Sequence, residues 1–327
     1  MEPLVSICIP AYNAEHFIAD TLNSALSQTY PNLEIVVSDD CSQDKTFEIA
    51  SSYVERGVKI IKPSQNLGMF GNFNYVIRCS SGKYILKLDA DDLVDPEHVA
   101  EQVAVMEAYP QVNFAHCACR LIDVNGNLIG YERSLQDSFI RTCVEEWPRY
   151  VFGPRAVNIV MIRRSAFDQV GGYDERYRYS GDWAMHRSLL KTGSVFYNAK
   201  VLASYRVHRI GKDGVRLLQV KEHLMHLEDI AQMWPEDVKD KEKILRRARI
   251  RLGKMGAIIA ACAPANERRE IISLLPSYGD ELSLRLLTLL LKLRGAIIIR
   301  GYRIIFLTLR QVVKQFMYPV LDSRKRK

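Results

Sequence analysis

Three aspartates, Asp89, Asp91 and Asp92, fall within four positions directly after the apolar run Tyr84-Ile85-Leu86-Lys87-Leu88. Carboxylates that close repel one another unless a cation neutralises them. A hard divalent ion, Mg2+ or Mn2+, takes carboxylate oxygens and keeps positions open for the phosphates of a substrate. The competing reading is an Asp-rich helix N-terminus, because Asp95-Pro96-Glu97 opens a helix next. Asp95 fits that cap. Three further acids exceed what capping needs, so a metal–diphosphate site is the favoured reading.

The elements that position these acids follow from periodicity. Leu4 to Ile9, closed by Pro10, reads as a buried strand. Ile18 to Gln28 has helical spacing, Leu33 to Val37 is a second strand, and Lys45 to Val54 a helix. Val58 to Ile61 is a third strand, Asn66-Leu67-Gly68 a turn, and about Gly71 to Cys79 a helix; Tyr84 to Leu88 is the fourth strand. Strand–helix alternation implies a parallel, doubly wound sheet, whose ligands bind beyond the carboxyl ends of the strands. Pro10-Ala11-Tyr12, Ser38-Asp39-Asp40 and Asp89 to Asp92 all stand at such ends, on one rim. The second half is less regular. Asn113 to Ile122, Val157 to Ile162 and Ser194 to Tyr197 read as strands, and Ala184 to Leu190 as a helix. From Leu217 onward the pattern is mostly helical, with Glu236 to Arg251 a charged, solvated helix.

Composition bounds the class. The chain has 327 residues, 48% apolar and 25% charged, enough for about two domains of ~150 residues. No basic-then-apolar leader opens it, so no signal peptide is expected. Seven cysteines without Cys-x-x-Cys spacing read as reduced, mostly buried thiols. Net charge is +7, but residues 285–327 carry eleven Lys/Arg and one acid, a net of +10, which leaves −3 for the rest. That argues against a nucleic-acid-binding body and for a localised basic device at the C-terminus. No run in Leu284 to Gln315 reaches the ~18 uncharged apolar residues of a spanning helix. At about 100° per residue, Lys292, Arg300, Arg303, Arg310 and Lys314 share one stripe on an otherwise apolar helix, and Arg294 strays. This is the pattern of a segment lying in a membrane interface and drawn to anionic lipids. Packing on the catalytic domain or on a partner copy is the alternative.

With Ser6-Ile7-Cys8-Ile9-Pro10-Ala11-Tyr12-Asn13, Val37-Ser38-Asp39-Asp40-Cys41-Ser42-Gln43-Asp44-Lys45-Thr46 and Leu88-Asp89-Ala90-Asp91-Asp92 in this order, the chain resembles family 2 glycosyltransferases of the GT-A fold, over about Pro3 to His208. Asn66-Leu67-Gly68 and Gly82-Lys83-Tyr84-Ile85 fit the same pattern. The resemblance implies an α/β, GT-A type doubly wound mixed sheet flanked by helices. It implies a nucleotide-diphospho-sugar donor, commonly UDP-linked. Pro10 and Tyr12 would line the base pocket, Asp40 would contact uracil, Asp91 the ribose or sugar, and Asp92 would ligate Mn2+ or Mg2+ with Asp89 in support. Asp39 could instead cap the following turn, with Asp44 capping the next helix.

An inverting transfer needs a base for the acceptor hydroxyl. The family places it after a Gly-Gly-aromatic-Asp turn, here Gly171-Gly172-Tyr173-Asp174, and Asp182 matches the position. The usual acid just before it is Gly181 here, which leaves Asp182 as the local candidate; helix capping is its alternative role. Trp183 stacks on a sugar or belongs to the core. Tyr205-Arg206-Val207-His208 matches a segment contacting the diphosphate or metal, with Arg206 toward the donor and His208 toward the metal. His223 and His226, three apart near Glu222 and Glu228, read as a solvated helix face rather than a zinc site.

The expected organisation is a catalytic domain over 1–215, its nucleotide-sugar half about 1–100 and acceptor half about 101–215, then a helical extension over 216–283 and a basic membrane-interface segment over 284–327. The expected activity is inverting transfer from a UDP-sugar to a hydroxyl of a glycan or polyprenyl-linked acceptor, at the cytoplasmic face of a membrane, with no nucleic-acid partner. A metal-dependent nucleotidyltransferase is the runner-up, but Ala11-Tyr12-Asn13-Ala14-Glu15 lacks its Gly-rich, basic loop. A scaffold with a degenerate domain is the non-enzymatic alternative, and the retained acids speak against it.

Overall fold

The computed structural model describes residues 2–132, 136–151, 159–208, 215–278 and 285. The chain divides into two compact units, Met1–Ile210 with Met233–Lys239, and Gly211–Gln232 with Asp240–Lys327.

The first unit opens with β1 (Val5–Ala11), α1 (Ile18–Leu26), β2 (Leu33–Asp39), α2 (Thr46–Ser51), β3 (Val58–Ile61), α3 (Gly68–Arg78) and β4 (Tyr84–Lys87). Val5 to Ile9 are all buried, as befits a strand covered on both faces. Each such aliphatic side chain contributes roughly 1.5–3 kcal/mol on leaving water. α1 buries Ile18, Thr21, Leu22 and Ala25, one stripe at helical spacing. β1 pairs in parallel with β2, from Val5 opposite Leu33 to Ala11 opposite Asp39, and with β4, from Val5 opposite Tyr84 to Cys8 opposite Lys87. The exits of β1, β2 and β4 therefore lie on one rim.

β5 (Leu93–Val94), α4 (His98–Ala108), β6 (Val112–Ile122), β7 (Leu128–Glu132), β8 (Phe139–Arg141), α5 (Cys143–Tyr150), β9 (Val160–Arg163), α6 (Arg164–Val170), α7 (Gly181–Thr192) and β10 (Ser194–Arg206) follow. The described strands form one sheet in the order β3-β2-β1-β4-β9-β6-β10-β5, with β7 beside β6 and β8 beside β10. β9 runs antiparallel to both neighbours, whereas β6 and β10 are parallel. The parallel pairing read from the first half holds for β1 to β4, and β9 makes the whole the mixed sheet that the resemblance implies. Where strand–helix alternation lapses, no crossover helix enforces parallel pairing. β10 extends to Arg206, well past the Tyr197 at which its apolar run stops, because Asn198-Ala199-Lys200 form an irregularity against β6 and pairing then resumes. Residues 157–158 of the third-quarter strand lie outside the described residues.

The second unit contains α8 (Val215–Gln232), α9 (Lys241–Cys262) and α10 (Ala265–Leu274). α9 starts at Lys241 rather than Glu236, after Asp240 in a left-handed conformation (φ 61°). It is not fully solvated, since Leu245, Ala248 and Leu252 are buried. The solvated face expected around His223 and His226 is likewise corrected. Both are buried on α8, and burial lowers the His223 pKa to about 4. The basic stripe expected within 284–327 lies outside the described residues, Arg285 apart. Among the described residues no helix is long and apolar enough to cross a membrane. Cys8, Cys41, Cys79, Cys117, Cys119 and Cys143 are free thiols, with Cys8, Cys117 and Cys119 buried.

Candidate active site

The rim is built from the strand exits. Pro10 is half-buried and Tyr12 is 52% exposed at the end of β1. The Asp40 amide donates to the Ala11 carbonyl at 2.8 Å, so Tyr12 and Asp40 leave neighbouring strands together. Asp40 Oδ1 accepts the Leu67 amide (2.7 Å) and Oδ2 the Gly68 amide (3.0 Å). Burial raises the Asp40 pKa, opposed by those two amides and reinforced by the Asp39 charge. Gly68 takes φ 74° here, a region open to glycine. Asp40 thus fastens the Asn66-Leu67-Gly68 turn to the end of β2. Asp39 accepts the Ser42 amide at 3.2 Å and pairs with Lys62 at 3.4 Å, while its buried Oδ1 has no hydrogen-bond partner. Asp44 accepts the Thr46 amide at 2.9 Å, at the start of α2.

The second cluster follows β4. The Arg206 amide donates to Asp92 Oδ1 at 2.8 Å, and the buried Asp92 Oδ2 has no hydrogen-bond partner. Burial, and then the Asp91 and Asp89 charges, raise the Asp92 pKa well above the carboxylate range. Asp91 Oδ2 lies 2.5 Å from His208 Nε2, and the Phe17 ring stands edge-on to the His208 ring at 5.6 Å. Asp89 Oδ2 accepts from Lys87 Nζ at 3.1 Å. Burial raises the Asp89 pKa to about 6 against the pull of Lys87.

Two assignments change. Arg206, expected at the diphosphate, is 3% exposed. Its guanidinium donates to the carbonyls of Asp91 (2.8 Å), Asp123 (3.2 Å) and Val124 (3.3 Å) and lies over the Phe17 ring at 4.7 Å. It is a clamp on the loops bearing the acids. Asp95 does not cap α4 through its side chain. Its carboxylate pairs with Arg120, and only its carbonyl meets the His98 amide, at 3.0 Å.

Asp182 lies in the first turn of α7 and is 4% exposed. Lys87 Nζ stands 3.3 Å from its Oδ1, an ion contact without hydrogen-bond alignment. Gly181 lies against Phe70, where an added Cβ would stand 2.7 Å from the ring; that contact accounts for the missing acid at this position. Asn74 fastens the preceding turn, accepting the Tyr173 amide (2.8 Å) and donating to the Tyr173 carbonyl (2.9 Å). Trp183 is half-buried. The sequence reading missed Lys87 as a site residue. Its signal was a lysine in a short, otherwise apolar strand immediately before the acids.

Among the described residues no three His, Cys, Asp or Glu side chains converge on a single metal position. The donors nevertheless fit a hard cation, with oxygen-rich Asp91 and Asp92, the borderline imidazole of His208, and one buried carboxylate oxygen without a hydrogen-bond partner.

Residues 6–194, more than half of the chain, match the profile of Glycosyl transferase family 2. The chain belongs to glycosyltransferase family 2. An uncharacterized glycosyltransferase of Rickettsia typhi is 30% identical over 68% of this chain and 69% of its own length. A UDP-Glc:alpha-D-GlcNAc-diphosphoundecaprenol beta-1,3-glucosyltransferase of Escherichia coli, WfaP, is 39% identical over 32% of this chain and 41% of its own. The fold is similar to that of TarS residues 1–349 from S. aureus, in complex with UDP-GlcNAc. The TM-score is 0.67 at 18% identity, over 86% of this chain and 83% of that one. This family 2 glycosyltransferase therefore has the GT-A architecture, with its rim of acids where the β1, β2 and β4 strands end.

Proposed function

We propose that this glycosyltransferase moves a sugar from a UDP-sugar, with inversion, to a hydroxyl of a glycan or polyprenyl-linked acceptor in polysaccharide assembly. The observation that carries the reading is Asp92, a buried carboxylate with one oxygen on the Arg206 amide and the other without a hydrogen-bond partner, at the strand end where a diphosphate would lie. WfaP and TarS, each named with a UDP-sugar, support the donor class.

Tyr12 would cover the base and Asp40, beside it, would meet the uracil edge. Asp91, Asp92 and His208 would hold Mn2+ or Mg2+; Asp89, engaged by Lys87, serves the base side instead. A bound divalent ion would offset the negative charge that builds on the departing UDP. Asp182 takes the proton of the acceptor hydroxyl as its oxygen attacks the anomeric carbon from the face opposite the diphosphate. The new glycosidic C–O bond forms as the bond to phosphate breaks, which inverts the centre. The basic segment 284–327 would lie on the cytoplasmic face of a membrane and bring the enzyme to a lipid-linked acceptor. Sedimentation with phosphatidylglycerol vesicles that depends on that segment tests this part.

The direct test is binding. UDP with Mn2+ should raise the thermal midpoint of the chain, and Asp92→Asn should abolish the rise. A chain that responds to no nucleotide sinks the reading.

A further inference from the structure

Lys87 has no part in the reaction as just described, yet it is the charged group in contact with the base. Its side chain is 1% exposed. Tyr84 and Leu86 of β4, and Leu88 just after it, belong to the main core cluster, and alternation turns Lys87 to the other face. There its ammonium meets Asp89 Oδ2 at 3.1 Å, Asp182 Oδ1 at 3.3 Å and the face of Phe73 at 4.4 Å. Phe73 is stacked in turn on Tyr173, of the turn that leads to α7, at 5.3 Å. Burial opposes the charged form, but the Asp182 and Asp89 carboxylates more than reverse it and raise the Lys87 pKa.

An ammonium removed from water costs several kcal/mol, and a methionine would fill the same space. The charge is explained by what it joins. Asp182 comes from α7 and Asp89 from the strand end bearing the diphosphate-side acids. Lys87 bridges the two.

We propose that Lys87 is the positioning residue of the base, its ammonium holding the Asp182 carboxylate in line while tying it to the strand end that carries Asp89, Asp91 and Asp92. This rests on Asp182 being the base. The ammonium exchanges no proton. The acceptor O–H bond breaks toward Asp182, the glycosidic bond forms, the sugar–phosphate bond breaks, and Lys87 keeps all its hydrogens. Because the contact lacks hydrogen-bond alignment, Asp182 Oδ1 keeps its capacity to accept. Without the cation, two carboxylates would face one another across an apolar gap beside Phe73, and the base would turn away from the line of attack.

The test is a double-mutant cycle on the full chain: Lys87→Met, Asp182→Asn and both, assayed as UDP release from a panel of UDP-sugars with water as acceptor, with the UDP–Mn2+ thermal shift checking fold and donor binding. Lys87→Met should keep the thermal shift and the donor KM while kcat falls about 10²-fold, the cost of misplacing a reacting group by about 1 Å. In the Asp182→Asn background it should cost nothing more, because residues acting as one unit are non-additive; a merely structural lysine would lower both backgrounds alike. Should Lys87→Met fail to bind UDP, Lys87→Gln repeats the cycle with a donor but no charge. Additive losses, or full turnover in Lys87→Met beside an inactive Asp182→Asn, overturn the proposal alone. Full turnover in Asp182→Asn overturns the base assignment and the proposal with it, and a wild-type chain that turns over no UDP-sugar overturns the donor reading as well.

Discussion

Gly181 and Phe70 are in contact so close that a Cβ on the glycine would stand 2.7 Å from ring atom Cε2. The ring cannot step aside freely, because it stacks on Tyr173 at 5.5 Å and Phe73 at 6.4 Å. The residue before Asp182 is therefore glycine for reasons of packing. Gly181→Asp is expected to cost ~1–3 kcal/mol through overpacking, read as a lower thermal midpoint, and Phe70→Leu in the same chain should recover part of the loss. An unchanged midpoint in the single variant would show that the ring gives way.

Asp92 is held at a cost to the ligand-free protein. A buried carboxylate oxygen without a hydrogen-bond partner carries a desolvation penalty of about 1–3 kcal/mol or more. Asp92→Asn should therefore leave the chain at least as stable as wild type in EDTA while removing any stabilisation by UDP and Mn2+. Urea unfolding with and without ligand separates the two effects. A large loss of stability in EDTA would mean that the carboxylate is structural.

His98 should make stability depend on pH. It is fully buried, its ring nitrogen Nδ1 lies 3.1 Å from the Leu202 carbonyl, and burial lowers its pKa to about 4 from 6.5. The unfolded chain binds the proton that the folded chain refuses, so stability is present above pH 6.5 and lost as pH falls toward 4. Over that window one such group contributes a slope of about 1.4 kcal/mol per pH unit. His98→Asn, which can still donate to Leu202, should flatten the profile by that amount. Parallel profiles for the two proteins would refute it.

Arg206→Lys should be poorly tolerated. Lysine keeps the charge but cannot span three carbonyls on two loops. A loss of ~2–4 kcal/mol is expected from buried carbonyls left without their charged donor, together with a smaller UDP–Mn2+ thermal shift. A variant of normal stability that has lost donor binding would restore Arg206 to the diphosphate.

What could be read from sequence was what lies close along the chain. The strand exits at Tyr12, Asp40 and Asp89, and the cluster Asp89 to Asp92, are short local patterns, and the fold brings them to one rim. Asp182 was reached by resemblance. The contacts between distant segments were not legible. Lys87 meets Asp182, which lies on a helix nearly a hundred residues later in the chain, and Arg206 turned from a ligand contact into a clamp because Asp123 and Val124 arrive beside it. The antiparallel course of β9 was hidden for the same reason, since direction in a sheet is set by connections rather than by the strand's own residues. His223 and His226 misled because charged neighbours on a helix read as solvated, whereas this face is covered.

The irregularity in β10 has a consequence for how such a sequence can change. Asn198 pairs with Cys117, Val201 with Ala118 and Ala203 with Cys119, so Ala199, Lys200 and Leu202 are extra residues on the β10 side. From Ser204 to Arg206 the strand is back in step with β6, and there the Arg206 amide reaches Asp92. Deleting one of the three extra residues would pull the end of the strand back by one place, turning its side chains to the opposite face and moving a different amide toward Asp92. Insertions and deletions should thus be tolerated in the largely exposed loop between α1 and β2 far better than between Asn198 and Arg206, where chain length itself sets which amide reaches Asp92.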